Sequence, residues 1–207
     1  MSDVSRELEK QRQRNILIVL SGPTCSGKDT VMRFLLKRNK NMGRLVTTNS
    51  RPKRKEEKEG TDYYFVSKDE FEKLIAQEAF LEWVEYRGDY RGSQKKHVLE
   101  ALKSGKDVIW RIDVRGVKNI YDKVKKEVPY SIFVFLAEDI KILEKRMKKR
   151  ATETMTGVEW SLNRAIWELR QYGNFDYLIK NKEGKLKKTV EIVEEIIEAE
   201  KRKILKK

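Results

Sequence analysis

The chain has 207 residues, with 47 Lys and Arg against 33 Asp and Glu, and 39% of its residues are charged, for a net +14. That length suits one domain with a full core rather than two with a linker. The 4 Trp, 8 Tyr and 7 Phe argue against a disordered chain, while one cysteine and one histidine exclude a disulfide framework within the chain, a cysteine-rich zinc site and a multi-histidine metal centre. No apolar run approaches the ~18–20 residues of a membrane span. Residues 1–14 lack the apolar stretch of a secretory signal. A cytoplasmic protein without membrane association is the expectation. The charge suits nucleic acid, an acidic membrane surface or a small polyanionic substrate.

In chain order, residues 1–14 read as a flexible tail. Residues 15–20, NILIVL, form a continuous apolar run rich in β-branched side chains, as a strand buried on both faces of a parallel sheet requires. A glycine-rich turn follows, then a helix over 30–37 with Val31, Phe34 and Leu35 on one face. Over 48–97 charged and aromatic residues interleave. Short strands are expected at 63–66 and 80–86, and between them a helix opened by Ser67 with Glu70 three residues on, a capping box. A helix over 98–104 ends at Gly105. Further core strands are expected at 107–113, 130–136 and 175–180, with helical stretches between them, the alternation of an α/β fold. An amphipathic helix closes the chain from Thr189 to about Ile204, its apolar face carrying Val190, Val193, Ile196, Ile197 and Ile204.

Gly22-Pro23-Thr24-Cys25-Ser26-Gly27-Lys28 matches the first seven positions of G-x-x-x-x-G-K-[ST]. Glycines let several backbone N–H groups converge on one concavity, the following helix adds its positive end, and the lysine reaches the terminal phosphates. The eighth position is Asp29, and the hydroxyl comes one place later, at Thr30. A carboxylate beside a triphosphate is repulsive unless Mg²⁺ lies between them. Asp29 is therefore either a metal ligand or an acid favoured by the helix N-terminus.

Together with this loop, Thr47 and Thr48, Arg51 and Arg54, residues 60–67 (GTDYYFVS), 80–83 (FLEW), 88–93 (GDYRGS) and 112–116 (IDVRG), Arg146 with Arg150, Arg164, and 175–177 (FDY) stand in an order that resembles the guanylate kinase family. The resemblance runs from about residue 15 to 181. It implies a P-loop three-layer α/β sandwich around a mostly parallel sheet. The core would be 15–47 and 98–207, a mixed α/β insertion over 48–97 would bind the acceptor, and a helical lid would span about 146–164. It implies transfer of a phosphoryl group from ATP, with Mg²⁺, to GMP or dGMP, and a monomer or homodimer with no specific nucleic-acid partner. Residues Gly22, Pro23, Thr24, Cys25, Ser26, Gly27, Lys28, Asp29 and Thr30 would bind ATP. Arg51, Arg54, Tyr63 and Arg91 would bind the acceptor phosphate, where guanidinium forks suit a dianion. Glu82 would accept both guanine N1–H and N2–H₂, Thr47 would donate to O6, and Ser93 would add a contact nearby. Adenine would leave Glu82 unpaired. Asp29, Thr30 and Asp113 would hold the metal, and Lys28, Arg146, Arg150 and Arg164 would be catalytic, as a transfer made of positioning and charge neutralisation needs.

Several positions depart from the family pattern. Arg91 replaces an aromatic hydroxyl, Arg111 replaces an aspartate two residues before Asp113, Pro52 directly follows the first arginine of the pair, and the lid is about three residues longer. Arg111 is expected to pair with Asp29 or Asp113. The Lys28-Asp29-Thr30 ending also resembles ribose bisphosphate phosphokinase, a sugar-phosphate kinase, although Glu82 and Tyr63 argue for a nucleotide acceptor. A non-catalytic guanylate-kinase-like binding module is the other alternative, and the retained Lys28 argues against it. Residues 44–58, 87–96 and 141–150 carry +12 of the +14, and each surrounds an expected phosphate site or lid.

Overall fold

The computed structural model describes residues 15–86, 88–128, 130–149 and 155–203. The expected tail, Arg150 and Ile204 lie outside these. Its frame is a five-stranded parallel sheet in the order β2-β7-β1-β8-β9, formed by β1 (Leu17–Ser21), β2 (Met42–Arg44), β7 (Asp107–Arg111), β8 (Ser131–Ala137) and β9 (Tyr177–Lys180). The buried runs read from the sequence are its central strands. Along β1 the pleat sends successive side chains to opposite faces. Ile18 and Leu20 join the cluster under α1 (Lys28–Arg38) and α7 (Leu186–Arg202), while Leu17 and Val19 join the cluster of Trp110, Val117, Ile120 and Phe133. That second cluster lies under α3 (Lys95–Leu102) and α4 (Val114–Glu127). Three layers result, with the sheet in the middle. Burying each such large side chain contributes about 1.5–3 kcal/mol.

Helix α1 buries Val31, Met32 and Leu35, whereas Phe34, expected on that face, is 41% exposed. Leu36, four residues after Met32, also packs against the core cluster, so the buried stripe is centred on Leu35 and Met32 and leaves Phe34 at its edge. Helix α7 buries Val190, Val193 and Ile197 as its periodicity requires, though it begins at Leu186 rather than Thr189. Helix α3 likewise starts earlier than expected, at Lys95.

A second sheet of four strands, in the order β4-β3-β6-β5, comprises β3 (Thr47–Asn49), β4 (Tyr63–Phe65), β5 (Phe80–Tyr86) and β6 (Asp89–Gln94). Its hairpin β5–β6 turns through Gly88 at φ 75° and pairs Glu82 with Ser93. The expected capping box opens α2 (Lys68–Ala76): Ser67 Oγ accepts from Glu70 N at 3.1 Å and Ser67 N donates to Glu70 Oε2 at 2.8 Å. Helices α5 (Ile140–Lys149) and α6 (Met155–Leu169) pack through Leu143, Met147, Val158 and Ala165. Among the described residues no helix is long and apolar enough to cross a membrane.

Candidate functional site

One cleft of about 1200 Å³ runs from the loop after β1 to the second sheet. The loop's shape follows from two glycines. Gly22 has φ 138°, and a Cβ there would stand 2.2 Å from Leu136 O; Gly27 has φ 93°, and its Cβ would stand 2.3 Å from Asn181 Nδ2. Both positive φ values strain any L side chain, and at Gly22 the clash is with fixed backbone. Asn181, just beyond β9, locks the loop by donating from Nδ2 to Ser26 O at 2.8 Å. Gly22, Thr24, Cys25, Gly27, Lys28, Asp29 and Thr30 line the cleft, while Pro23 and Ser26 are buried behind it. Lys28 Nζ donates to Gly22 O and Pro23 O, each at 2.7 Å. Burial holds its pKa below the usual lysine range, against the opposing charges of Glu168 and Asp29.

At the far end stand Thr47, Arg51, Arg54, Tyr63, Glu82 and Arg91. Glu82 is 6% exposed, and its Oε1 accepts from Ser93 Oγ at 2.7 Å; Ser93 in turn accepts from Trp110 Nε1 at 2.8 Å. Ser93 is therefore the support beneath Glu82, behind the cleft lining. Burial raises the Glu82 pKa to about 7, opposed by the Ser93 hydrogen bond and reinforced by Asp113. Gly116, in the first turn of α4, gives the carboxylate room: a Cβ there would lie 2.6 Å from Glu82 Oε2. Arg51 is clamped by Glu57, Nη2 to Oε1 at 2.5 Å and Nη1 to Oε2 at 2.8 Å. Arg54 is exposed on the same rim, and the Arg91 guanidinium lies 4.6 Å from the Tyr86 ring centroid.

Between these ends, Arg111, Asp113, Arg146 and Arg164 line the cleft. Arg164 Nη2 pairs with Asp113 Oδ2 at 2.5 Å and Arg164 Nε donates to Glu168 Oε1 at 2.7 Å. Glu168 also accepts from Thr24 N at 3.2 Å, so it ties α6 to the phosphate loop. Arg146 donates to Cys25 O at 3.1 Å and pairs with the buried Glu138 at 3.2 Å. Asp113 caps α4, accepting from Arg115 N at 3.0 Å, and Arg164 and then Arg115 hold its pKa below the usual carboxylate value despite the larger, opposing effect of burial. Of the two partners expected for Arg111, its recorded ion pair is with Asp29, Nε to Oδ1 at 3.1 Å, and Arg111 Nη2 also donates to the Tyr63 hydroxyl.

Sequence reading singles out Lys28, Arg51, Arg54, Arg91, Arg111, Arg146 and Arg164 among the cations of the cleft, passes over Arg33, Arg44, Lys149 and Lys182, and misses carboxylates that hold several of them. Glu57, Glu138 and Glu168 carry no motif; only the i, i+4 spacing of Arg164 and Glu168 hints at one of them. His97 stacks on Tyr64, ring centroids 4.0 Å apart, away from the cleft lining. Among the described residues no three His, Cys, Asp or Glu gather as a metal cage. The Thr30 hydroxyl and the Asp29 and Asp113 carboxylates line the cleft as oxygen donors of the kind a hard cation takes, and each carboxylate is paired with an arginine.

The family model for guanylate kinase matches residues 14–200. A guanylate kinase of Carboxydothermus hydrogenoformans is 39% identical over 191 residues, 92% of this chain and 91% of that one. A guanylate kinase of Latilactobacillus sakei is 37% identical over 189 residues, 90% of each chain. The crystal structure of guanylate kinase from Anaplasma phagocytophilum superposes with a TM-score of 0.70 at 27% identity, over 91% of this chain and 87% of that one.

Proposed function

The chain belongs to the guanylate kinase family, and from that premise we propose how its own residues divide the work. It is a nucleoside monophosphate kinase that transfers a phosphoryl group from ATP to GMP. The loop from Gly22 to Thr30 receives the triphosphate on its backbone N–H groups and the N-terminal end of α1. Lys28 leaves the carbonyls of Gly22 and Pro23 to follow the terminal phosphates.

Arg51, Arg54, Arg91 and Tyr63 take the acceptor phosphate. Glu82 takes guanine N1–H and N2–H₂ together, with Ser93 holding the carboxylate in place and Thr47 facing O6. Arg146 and Arg164 neutralise charge on the transferring group, joined by Arg150, which lies outside the described residues. A magnesium ion bound with ATP would neutralise phosphate charge and polarise the transferred group. Thr30 and Asp113 would hold it, while Asp29 is paired with Arg111. Because no nucleophile on the protein is required, alignment and charge neutralisation account for the catalysis.

One observation carries the acceptor assignment: a buried carboxylate, braced by Ser93 and Trp110, opens into the same cleft as Lys28. A sugar-phosphate acceptor would leave that carboxylate unused, and a non-catalytic module would have no use for an intact loop lysine. The test is a coupled assay of ATP with GMP, AMP, CMP and UMP, repeated with Glu82→Gln. Turnover of GMP well above the other acceptors, with the preference lost in the variant, is the expected result. Equal turnover of all four by the unaltered protein would remove the base-reading role.

A further inference from the structure

Arg111 ends β7 at the level where Leu20 of β1 leads into the phosphate loop. Its side chain is 16% exposed and reaches two regions at once. Its Nε faces Asp29 Oδ1 at 3.1 Å in the first turn of α1, and its Nη2 donates to the Tyr63 hydroxyl on β4 of the second sheet. One guanidinium therefore joins the residue after the loop lysine to the tyrosine assigned to the acceptor phosphate.

The Asp29 pair itself contributes little to folding: Asp29 is 58% exposed, so water screens it. Other cations crowd Arg111: Lys28, Arg91, Arg146 and Arg164 line the same cleft. A buried concentration of cations becomes favourable when phosphates enter it. Arginine has five N–H donors in a fixed fork, and Tyr63 and Asp29 engage two of its nitrogens. Donors remain for a phosphate oxygen.

We propose that Arg111 is a phosphate-binding residue of the transfer site that serves both substrates: it shares the acceptor phosphate with Tyr63, and it offsets the Asp29 carboxylate so that a loop with an acid at its eighth position holds a triphosphate. The inference rests on the assignment of Tyr63 to the acceptor phosphate. It makes Arg111 and Asp29 one compensated unit on the donor side, while on the acceptor side Arg111 acts with Tyr63 alone.

The test is a double-mutant cycle on Arg111→Gln and Asp29→Asn, reading equilibrium binding of mant-ATP with magnesium chloride in the absence of acceptor, and separately the KM for GMP. Arg111→Gln is expected to weaken mant-ATP binding about tenfold and to raise the KM for GMP about tenfold, the size of a lost hydrogen bond to a charged group. In the double variant mant-ATP affinity returns to within about threefold of the unaltered protein, while the KM for GMP stays high. Unchanged binding and KM in Arg111→Gln, or singles whose effects on mant-ATP simply multiply, overturns the proposal. If Arg111→Gln loses its melting transition, Arg111→Lys decides. That variant keeps the charge and so should keep mant-ATP affinity, but it loses the fork and should still raise the KM for GMP; equal losses on both sides overturn the idea. Turnover of GMP by the unaltered protein is the control. Its absence would count against the kinase reading, whereas its presence with indifferent variants would count against Arg111.

Discussion

Ser93 donates its hydroxyl to Glu82 Oε1 at 2.7 Å on the floor of the acceptor pocket. This bond opposes the burial that raises the Glu82 pKa to about 7, and so helps keep the carboxylate ionised for guanine. The site carries a stability cost for that function, because ionising a buried carboxylate disfavours the folded state.

Glu82→Gln is therefore expected to stabilise the protein while destroying its preference for GMP. A folded pKa near 7, raised from 4.5, means the penalty is small at low pH and grows until Glu82 is ionised above pH 7. At about 1.36 kcal/mol per pKa unit the full penalty is on the order of 3 kcal/mol. Thermal melts at pH 8 should show a higher Tm for the variant by several degrees, and melts at pH 5 a much smaller gain. A variant that melts lower at pH 8 would refute this.

Recognition of GMP should weaken as pH falls through about 7, because protonated Glu82 has lost the second acceptor that guanine needs. In Ser93→Ala the opposing hydrogen bond is gone, so this limb of kcat/KM should move to higher pH. The variant also leaves Trp110 Nε1 without its partner, at a cost of about 1–3 kcal/mol in stability. A pH profile identical to that of the unaltered protein would show that Ser93 does not tune Glu82.

Gly116→Ala should raise the KM for GMP and leave the KM for ATP unchanged. The added Cβ would stand 2.6 Å from Glu82 Oε2 and push the carboxylate off its position. Alanine improves helix propensity by about 1 kcal/mol, so loss of stability is not the expected cause. Parallel initial-rate measurements with each substrate varied check the split.

Lys28→Met should lower kcat by at least about 10²-fold, as loss of a preorganised charge on a transferring phosphoryl group does. The fold should survive, since among the described residues Nζ bonds only to carbonyls of its own loop. Circular dichroism and a melt beside the coupled assay separate the two effects.

Much of the molecule was legible before its fold was known, for a local reason. Continuous apolar runs expose buried parallel strands, glycines at Gly22 and Gly27 expose a phosphate loop, and Ser67 with Glu70 exposes a helix start, because each signal lies within a few neighbouring residues. Three strands went unread. β2 and β3 span only three residues each, too few for a period, and β6 has Gly92 among polar residues. In α1 the buried stripe runs through Met32 rather than Phe34.

What the sequence determined by itself was the family order of motifs and the concentration of positive charge in three windows; of their sixteen Lys and Arg, the structure sets Arg44, Arg51, Arg54, Arg91, Arg146 and Lys149 along one cleft. What the tertiary structure decided was how those cations are held. Glu82 could as well have been an exposed strand residue, and the register of β5 against β6 is what sets it on Ser93 and buries it. Arg111 had two aspartates within reach of expectation. The meeting of α6 with α4 gives Asp113 to Arg164, while the adjacency of β7 and β1 brings Arg111 to Asp29. Partners such as these come from segments tens of residues apart, and their choice depends on long-range packing that no local pattern encodes.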